Sequence, residues 1–346
     1  MTTSDATPLD RQTAPPAEVM QELILGAWMS QVITTVADLG VADVLAGGPL
    51  PINELASKVG ADPDALRRLL RALISRAIFA QRDDGRYELT PLADLLRSDA
   101  SISMAATARF VGSRQHREHW SLLTEAIKTG TSVVPALRGK SFFDYMGDDP
   151  EFGQIFHDAM TSWSGLSIWP VVEAYDFTPY KTIVDVAGGH GRLLAAILAS
   201  APNVRGVLYD LPKVVAGAMP LLEENHVAER VRIVEGSFFD GIPAGGDAYV
   251  LKHIIHDWDD HASAHILRNV RSAAAAGTTL LLVEPVIPED DSASIGKLMD
   301  MEMLLINNGR ERTATEYRRL LDEAGFQMIG VVDTASPLSI IEARAT

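Results

Sequence analysis

Two hydrophobic periods alternate along the second half of the chain. Short apolar runs rich in β-branched residues occupy 182–187, 204–210, 231–235, 247–252 and 278–284. Between and after them, apolar positions recur at helical spacing near 191–200, 213–224, 259–275, 293–306 and 314–324. This alternation predicts an α/β domain over 181–346, built on a doubly wound parallel sheet. The last two apolar runs, 327–332 and 338–342, are too close in sequence for a parallel return. They predict a terminal antiparallel hairpin.

The first half has a different pattern. Residues 1–18 are polar and proline-containing and read as a disordered tail. Through 19–46, Leu23, Ile24, Ala27, Trp28, Val32, Ile33, Val36 and Leu39 recur at helical spacing. They spread over more than one face, as in a helix buried between partners. A short helix begins at Ile52, and Gly60-Ala61-Asp62 makes a turn. Asp62 is placed to cap a second helix, 64–75, with Pro63 at its first position. Runs 77–81 and 86–90 flank Asp83-Asp84-Gly85, a hairpin signal. Helix-turn-helix followed by a hairpin is a winged-helix pattern, so 19–100 reads as a helical and winged-helix domain. Residues 101–180 read as a helical linker with scattered aromatics and methionines, a subset of which would line a substrate pocket.

Charge bears on what the winged helix does. Arg67, Arg68, Arg71 and Arg76 lie on or just after its second helix, but acids and bases balance across the segment. The whole chain of 346 residues carries a net charge of −16. That disfavours nucleic acid and anionic membrane as partners. A winged helix serves equally as a packing and dimerisation module. Cysteine is absent, which excludes disulfides, thiolate catalysis and zinc–thiolate sites. The start of the chain has no apolar signal core, and no run reaches the ~18 apolar residues of a membrane span. A cytoplasmic protein is expected.

The strand at 182–187 ends in Ala187-Gly188-Gly189-His190-Gly191 and a helical pattern follows at once. Glycines there let a ligand approach the backbone, and the turn presents the helix N-terminus to it. Asp210 closes the next strand, where an acid accepts hydrogen bonds from ribose hydroxyls. A nucleoside-containing cofactor is implied. A dinucleotide fingerprint fits poorly, because Leu194 stands at its third glycine position.

Ligands bind at the carboxyl ends of such strands. Those ends carry Lys252-His253-Ile254-Ile255-His256-Asp257-Trp258-Asp259-Asp260 and Glu284-Pro285, and Gly309-Arg310-Glu311-Arg312-Thr313 forms a loop before a helix. With Tyr209-Asp210-Leu211-Pro212 and the glycine turn, these motifs resemble the small-molecule O-methyltransferases of the plant caffeate/flavonoid type and their bacterial relatives. The likeness spans residues 20–344. It implies a Rossmann-like class I methyltransferase domain behind a winged-helix dimerisation domain, with the apolar faces of 19–46 and 99–125 buried in a homodimer.

The resemblance implies S-adenosylmethionine (SAM) as cofactor, S-adenosylhomocysteine as its product, and no metal. Methyl transfer to a hydroxyl of a small aromatic metabolite would use His256 as general base, with Glu284 and Glu311 flanking it. A phenol is a poor nucleophile until deprotonated, and an imidazole held by a carboxylate is suited to take its proton. Gly188, Asp210, Ser237, Phe238 and Lys252 map to the cofactor site. Phe156, Met160, Trp163, His253, Met303 and Asn307 or Asn308 lie in segments that line the family's acceptor pocket. Asp257, Asp259 and Asp260 are expected to cap the following helix. His253, His256, Asp260, His261 and His265 are grouped in sequence, but a turn from strand into helix is expected to splay their rings.

Two positions depart from the family pattern. Ser237 replaces an acid that accepts from the adenine amine. Ala187 stands where glycine is frequent, and is tolerable only if its φ stays negative. Three rivals remain: a family relative with a non-methylating activity such as hydroxylation, a winged-helix ligand-sensing regulator, and an NAD-dependent oxidoreductase.

Overall fold

The structure, a computed structural model, describes residues 14–346. The chain forms two compact units. The first runs to Ser121 and takes in Met146–Ser164; the second comprises Leu122–Tyr145 and Gly165–Thr346. Most of the expected N-terminal tail falls outside the described residues. Its end does not, and helix already begins at Pro16, where proline suits a first turn.

The expected 19–46 helix is two helices, Pro16–Asp38 and Val41–Leu45. Gly40, at φ +64°, breaks them, a conformation that a Cβ disfavours. Helices Ile52–Val59 and Pro63–Ile74 follow. The Asp62 carboxylate accepts from the backbone N–H groups of Asp64 and Ala65, as its position predicts. Strands β1 (Phe79–Gln81) and β2 (Tyr87–Leu89) pair antiparallel around a turn with Gly85 at φ +80°. Leu55, Leu66, Leu70, Leu73, Phe79 and Tyr87 share one core. Met20, Leu23, Ile24 and Trp28 stay exposed on the first helix, with Trp28 at 71%.

The second unit is organised by a seven-stranded sheet. Its strands are β3 (Thr182–Val186), β4 (Arg205–Asp210), β5 (Val231–Glu235), β6 (Ala248–Lys252), β7 (Thr279–Glu284), β10 (Phe326–Asp333) and β11 (Ser339–Ala345). Two short strands, β8 (Val286–Ile287) and β9 (Arg312–Thr313), pair separately. The sheet order is β10-β11-β7-β6-β3-β4-β5. The five strands from β7 to β5 run parallel, and β11 lies antiparallel between β7 and β10. That is the expected terminal hairpin. Strand order reverses at β3, where β4 lies on one side and β6 on the other, so the crevice opens at the carboxyl ends of β3 and its neighbours.

Helices Arg192–Ser200, Asp260–Ala273, Gly296–Asn307 and Ala314–Glu323 match the periodicity. The expected helix at 213–224 is instead Pro212–Val215 and Met219–Glu224. The break falls at Gly217-Ala218, and Pro220 restarts the second piece at a position where its missing N–H is harmless. No helix among the described residues is long and apolar enough to cross a membrane.

Candidate active site

The glycine turn sits at the end of β3. A Cβ on Gly188 would lie 2.5 Å from Asp185 Oδ2 and 2.6 Å from Leu208 Cδ1, so only glycine fits. Gly189 and Gly191 have φ of +61° and +82°. Ala187 has φ +56°, against the expectation of a negative angle. Its N–H is held by the carbonyl of Tyr209 at 2.7 Å, and this bond fixes the turn despite the Cβ. His253 (φ +54°) and Asn308 (φ +58°) are also left-handed. These three non-glycine residues are held in a sparsely populated region.

Asp210 ends β4. Its Oδ2 accepts from Gly189 N–H at 2.8 Å and its Oδ1 from Leu211 N–H at 2.6 Å. Each oxygen keeps a further lone pair for a ribose hydroxyl. A cavity of about 340 Å³ opens beside it, within the range of small-ligand sites. Asp210, Ser237, Phe238, Asp257 and Trp258 line it. Asn269 Nδ2 donates to the carbonyls of Phe238 and Phe239 at 2.8 and 2.9 Å and pins that loop. Trp258 meets Phe239 edge-on, with centroids 4.8 Å apart. A carboxylate, a close-approach glycine turn and an aromatic wall suit an adenosine.

Lys252, at the end of β6, lies in the field of Glu284 and Asp185. Burial, which disfavours its charge, outweighs these carboxylates and brings it down to about 8. Burial and the nearby Asp210 raise Asp185 to about 7.

Beyond β6 the chain turns through Ile255–Asp257 and brings His256 into the interior. Its Nδ1 stands 2.8 Å from Glu311 Oε1 and 3.9 Å from Glu284 Oε2. Asp257 Oδ1 lies 3.7 Å from Nε2. Burial alone would disfavour the imidazolium, but the fields of Glu284, Glu311 and Asp257 and the Glu311 hydrogen bond prevail. Together they raise His256 to about 10. Glu284 is fully buried; its Oε1 accepts from the N–H groups of Ile254 and Ile255 at 3.0 and 2.9 Å. Burial raises it to about 7.

The loop before β9 is locked to the His256 turn. Arg310 N–H donates to the carbonyl of His256 at 2.8 Å. A Cβ on Gly309 would lie 2.2 Å from that same oxygen, so glycine is required. Arg312, only 1% exposed, donates to the carbonyls of Ile255 and Trp258, to Ser263 and to Asp260. Glu311 N–H is taken by Asp300 at 2.9 Å. Thr313 and Glu316 form a capping box that starts the next helix.

Of the three aspartates expected to cap the helix after His256, only Asp259 does, accepting from Ala262 N–H. Asp257 lines the cavity beside His256, and Asp260 serves Arg310, Arg312 and Arg319. The rings of His253 and His256 do not splay; their centroids are 4.9 Å apart at 40°. A nitrogen of each and an oxygen of Glu284 lie within 4.8 Å of one another. Nδ1 of His256 faces Glu311 and Glu284 Oε1 is taken by backbone, while Glu284 Oε2 has no hydrogen-bond partner among the described residues.

Among the expected acceptor residues, Met303 is buried and Asn307 half-buried on helix Gly296–Asn307. The Asn307 side-chain nitrogen is buried and makes no hydrogen bond among the described residues. Asn308 instead ends the helix and accepts from Ser132 N–H, which separates the two asparagines. Phe156, Met160 and Trp163 are half-buried in the first unit, where Phe156 and Trp163 meet Phe110 edge-on. The sequence reading missed Trp258, Asn269 and the Arg312 clamp. Trp258 belongs to a motif whose histidine and acids, not its indole, carry the sequence reading.

A class I methyltransferase is defined by this strand order, glycine turn and ribose acid together. The comparisons agree. Residues 120–327 match the model of an O-methyltransferase domain, and residues 21–99 that of an O-methyltransferase dimerisation domain. A phenazine O-methyltransferase from Lysobacter antibioticus is 41% identical over 95% of this chain and 96% of its own. A 3-amino-4-hydroxybenzoate 4-O-methyltransferase from Streptomyces cremeus is 40% identical over 92% and 86%. The structure of an O-methyltransferase from neocarzinostatin biosynthesis, in complex with SAM and 2-hydroxy-5-methyl naphthoic acid, superposes with a TM-score of 0.77. It is 32% identical and covers 92% of this chain and 96% of its own. The chain belongs to this O-methyltransferase family, and it is a SAM-dependent enzyme. The regulator and oxidoreductase readings are left without support.

Proposed function

We propose that the enzyme methylates a hydroxyl of a small aromatic metabolite and that His256 is its general base. The observation that carries this reading is the short Nδ1 contact of a buried histidine with Glu311, beside a second buried carboxylate, Glu284. Glu311 fixes the ring so that Nε2 faces the acceptor, and both carboxylates stabilise the imidazolium that forms. SAM supplies the electrophilic methyl. Gly188, Asp210, Ser237, Phe238 and Lys252 hold it, and Asp257 stands where cavity and base meet. The relatives named above act on or bind flat aromatic acids and phenazines, which suits an aromatic acceptor.

The enzyme works as a homodimer in this reading. Met20, Leu23, Ile24 and Trp28 expose an apolar stripe within the dimerisation-domain match or at its edge. A stable, active monomer in sedimentation would contradict that part.

The test is turnover on a panel of phenols with SAM. One S-adenosylhomocysteine per methyl ether formed is expected. Cofactor consumption without a methylated product, or oxygenated product in its place, would transfer the chain to the non-methylating relatives.

A further inference from the structure

The charges around His256 pose a problem for a base. Glu311, Glu284 and Asp257 place carboxylate oxygens 2.8, 3.9 and 3.7 Å from its nitrogens. Just beyond β6, the His253 ring lies 4.9 Å from that of His256, and burial, Lys252 and His256 push the proton affinity of His253 well down. Behind the carboxylates stand Tyr317 and Arg312, with Asp300 bonded to the Glu311 amide. Arg312 is committed to Asp260 and backbone carbonyls, so it does not neutralise the cluster at His256. Carboxylates in a dry interior hold a proton on the imidazole at neutral pH. An imidazolium accepts nothing from a phenol.

We propose that SAM itself prepares the base: when it binds, its sulfonium charge weakens the hold of His256 on its proton, so that from about pH 8 upward the proton leaves for solvent before the acceptor arrives. This inference rests on His256 being the base. The imidazolium N–H bond breaks, the proton passes to water or buffer, and no other bond changes.

The geometry supports the coupling. Asp257 lines the cofactor cavity and lies 3.7 Å from His256 Nε2, so cavity and base share one carboxylate. In a reactive complex the acceptor oxygen sits about 3 Å from Nε2 and about 3 Å from the methyl. The sulfonium therefore comes within roughly 6–7 Å of the imidazole. At an effective dielectric constant near 20, a unit charge at that distance lowers a cation's pKa by about two units. S-adenosylhomocysteine carries no sulfonium and exerts no such push. Above about pH 8 the charge in the cluster then stays constant through the cycle: neutral imidazole with SAM, imidazolium with S-adenosylhomocysteine after the acceptor's proton has moved.

The test is calorimetric titration of the full-length protein with SAM and with S-adenosylhomocysteine near pH 9, in buffers of different ionisation enthalpy. About half a proton or more released per SAM bound is expected, and about none per S-adenosylhomocysteine. SAM affinity should also rise with pH between about 8 and 10 while S-adenosylhomocysteine affinity stays flat. Equal proton counts for the two ligands in the wild-type protein would overturn the proposal, and this comparison needs no variant. Release that persists in His256→Gln would assign the proton to Lys252 and overturn it as well. A His256→Gln enzyme that keeps full turnover on a high-pKa phenol would instead remove the base itself. Lost turnover with equal proton counts removes only the coupling.

Discussion

Nδ1 of His256 lies 2.8 Å from Oε1 of Glu311, and both side chains are buried. They come from segments more than fifty residues apart in sequence, joined by the backbone bond from Arg310 N–H to the His256 carbonyl. The pair is therefore a product of the fold. Its chemical consequence is a raised affinity of His256 for a proton. A base acts only when neutral, so kcat/KM for SAM should rise with pH to a midpoint well above the ordinary 6.5 of histidine. Glu311→Gln removes one of the charges that hold the proton. It should move that midpoint down and lower kcat by at least ~10-fold. An unchanged midpoint in the variant would separate Glu311 from the base.

Arg312 holds the His256 turn to the Glu311 loop through donors to Ile255, Trp258, Ser263 and Asp260. Arg312→Met keeps volume and removes every one of these bonds. It leaves Asp260 with Arg310 and Arg319 only, and buried carbonyls without donors. A loss of about 3 kcal/mol or more in urea unfolding is expected. A loss below about 1 kcal/mol would show that the clamp is dispensable.

Much of this was legible in the sequence. The alternating periods predicted the parallel sheet because its strands are buried on both faces and read as continuous apolar runs. The closing hairpin followed from the short spacing between 327–332 and 338–342. The acids at strand ends were legible because a carboxylate is rarely placed at the end of a buried run without a partner. The backbone's choices were less so. Ala187 is left-handed because a bond to Tyr209, on the neighbouring strand, overrides its intrinsic preference. Asp257, Asp259 and Asp260 are equivalent as caps by composition. Asp260 is drawn away by Arg312, which arrives from a distant segment, and Asp259 alone meets a helix N–H.

Ala187 provides a direct check on that strain. At φ +56° an alanine is disfavoured by about 1 kcal/mol or more relative to glycine. Ala187→Gly should therefore raise stability modestly, despite glycine's larger unfolded-state entropy, and leave SAM affinity within about threefold. A destabilised variant would mean that the alanine methyl packs usefully in the turn.

Asp185 provides a second. It is 2% exposed, and its Oδ2 has no hydrogen-bond partner. Its folded pKa is about 7, above the ordinary 3.8 of the unfolded chain. Between those values the native state binds more protons than the unfolded state, so stability falls as pH rises from about 4 to 7. Asp185→Asn removes this dependence. The variant should gain stability relative to wild type at pH 8 compared with pH 5, read by urea unfolding at both. A difference independent of pH would show that the carboxylate is compensated in the fold.

The most direct test of the central claim is the turnover of His256→Ala on two acceptors, a phenol of pKa near 10 and a hydroxyl acidic enough to be ionised at the assay pH. General-base catalysis predicts a loss of at least ~100-fold on the first and a much smaller one on the second, where no proton need be moved. Turnover unchanged on both acceptors would contradict the account and leave His256 as a structural group beside Glu311.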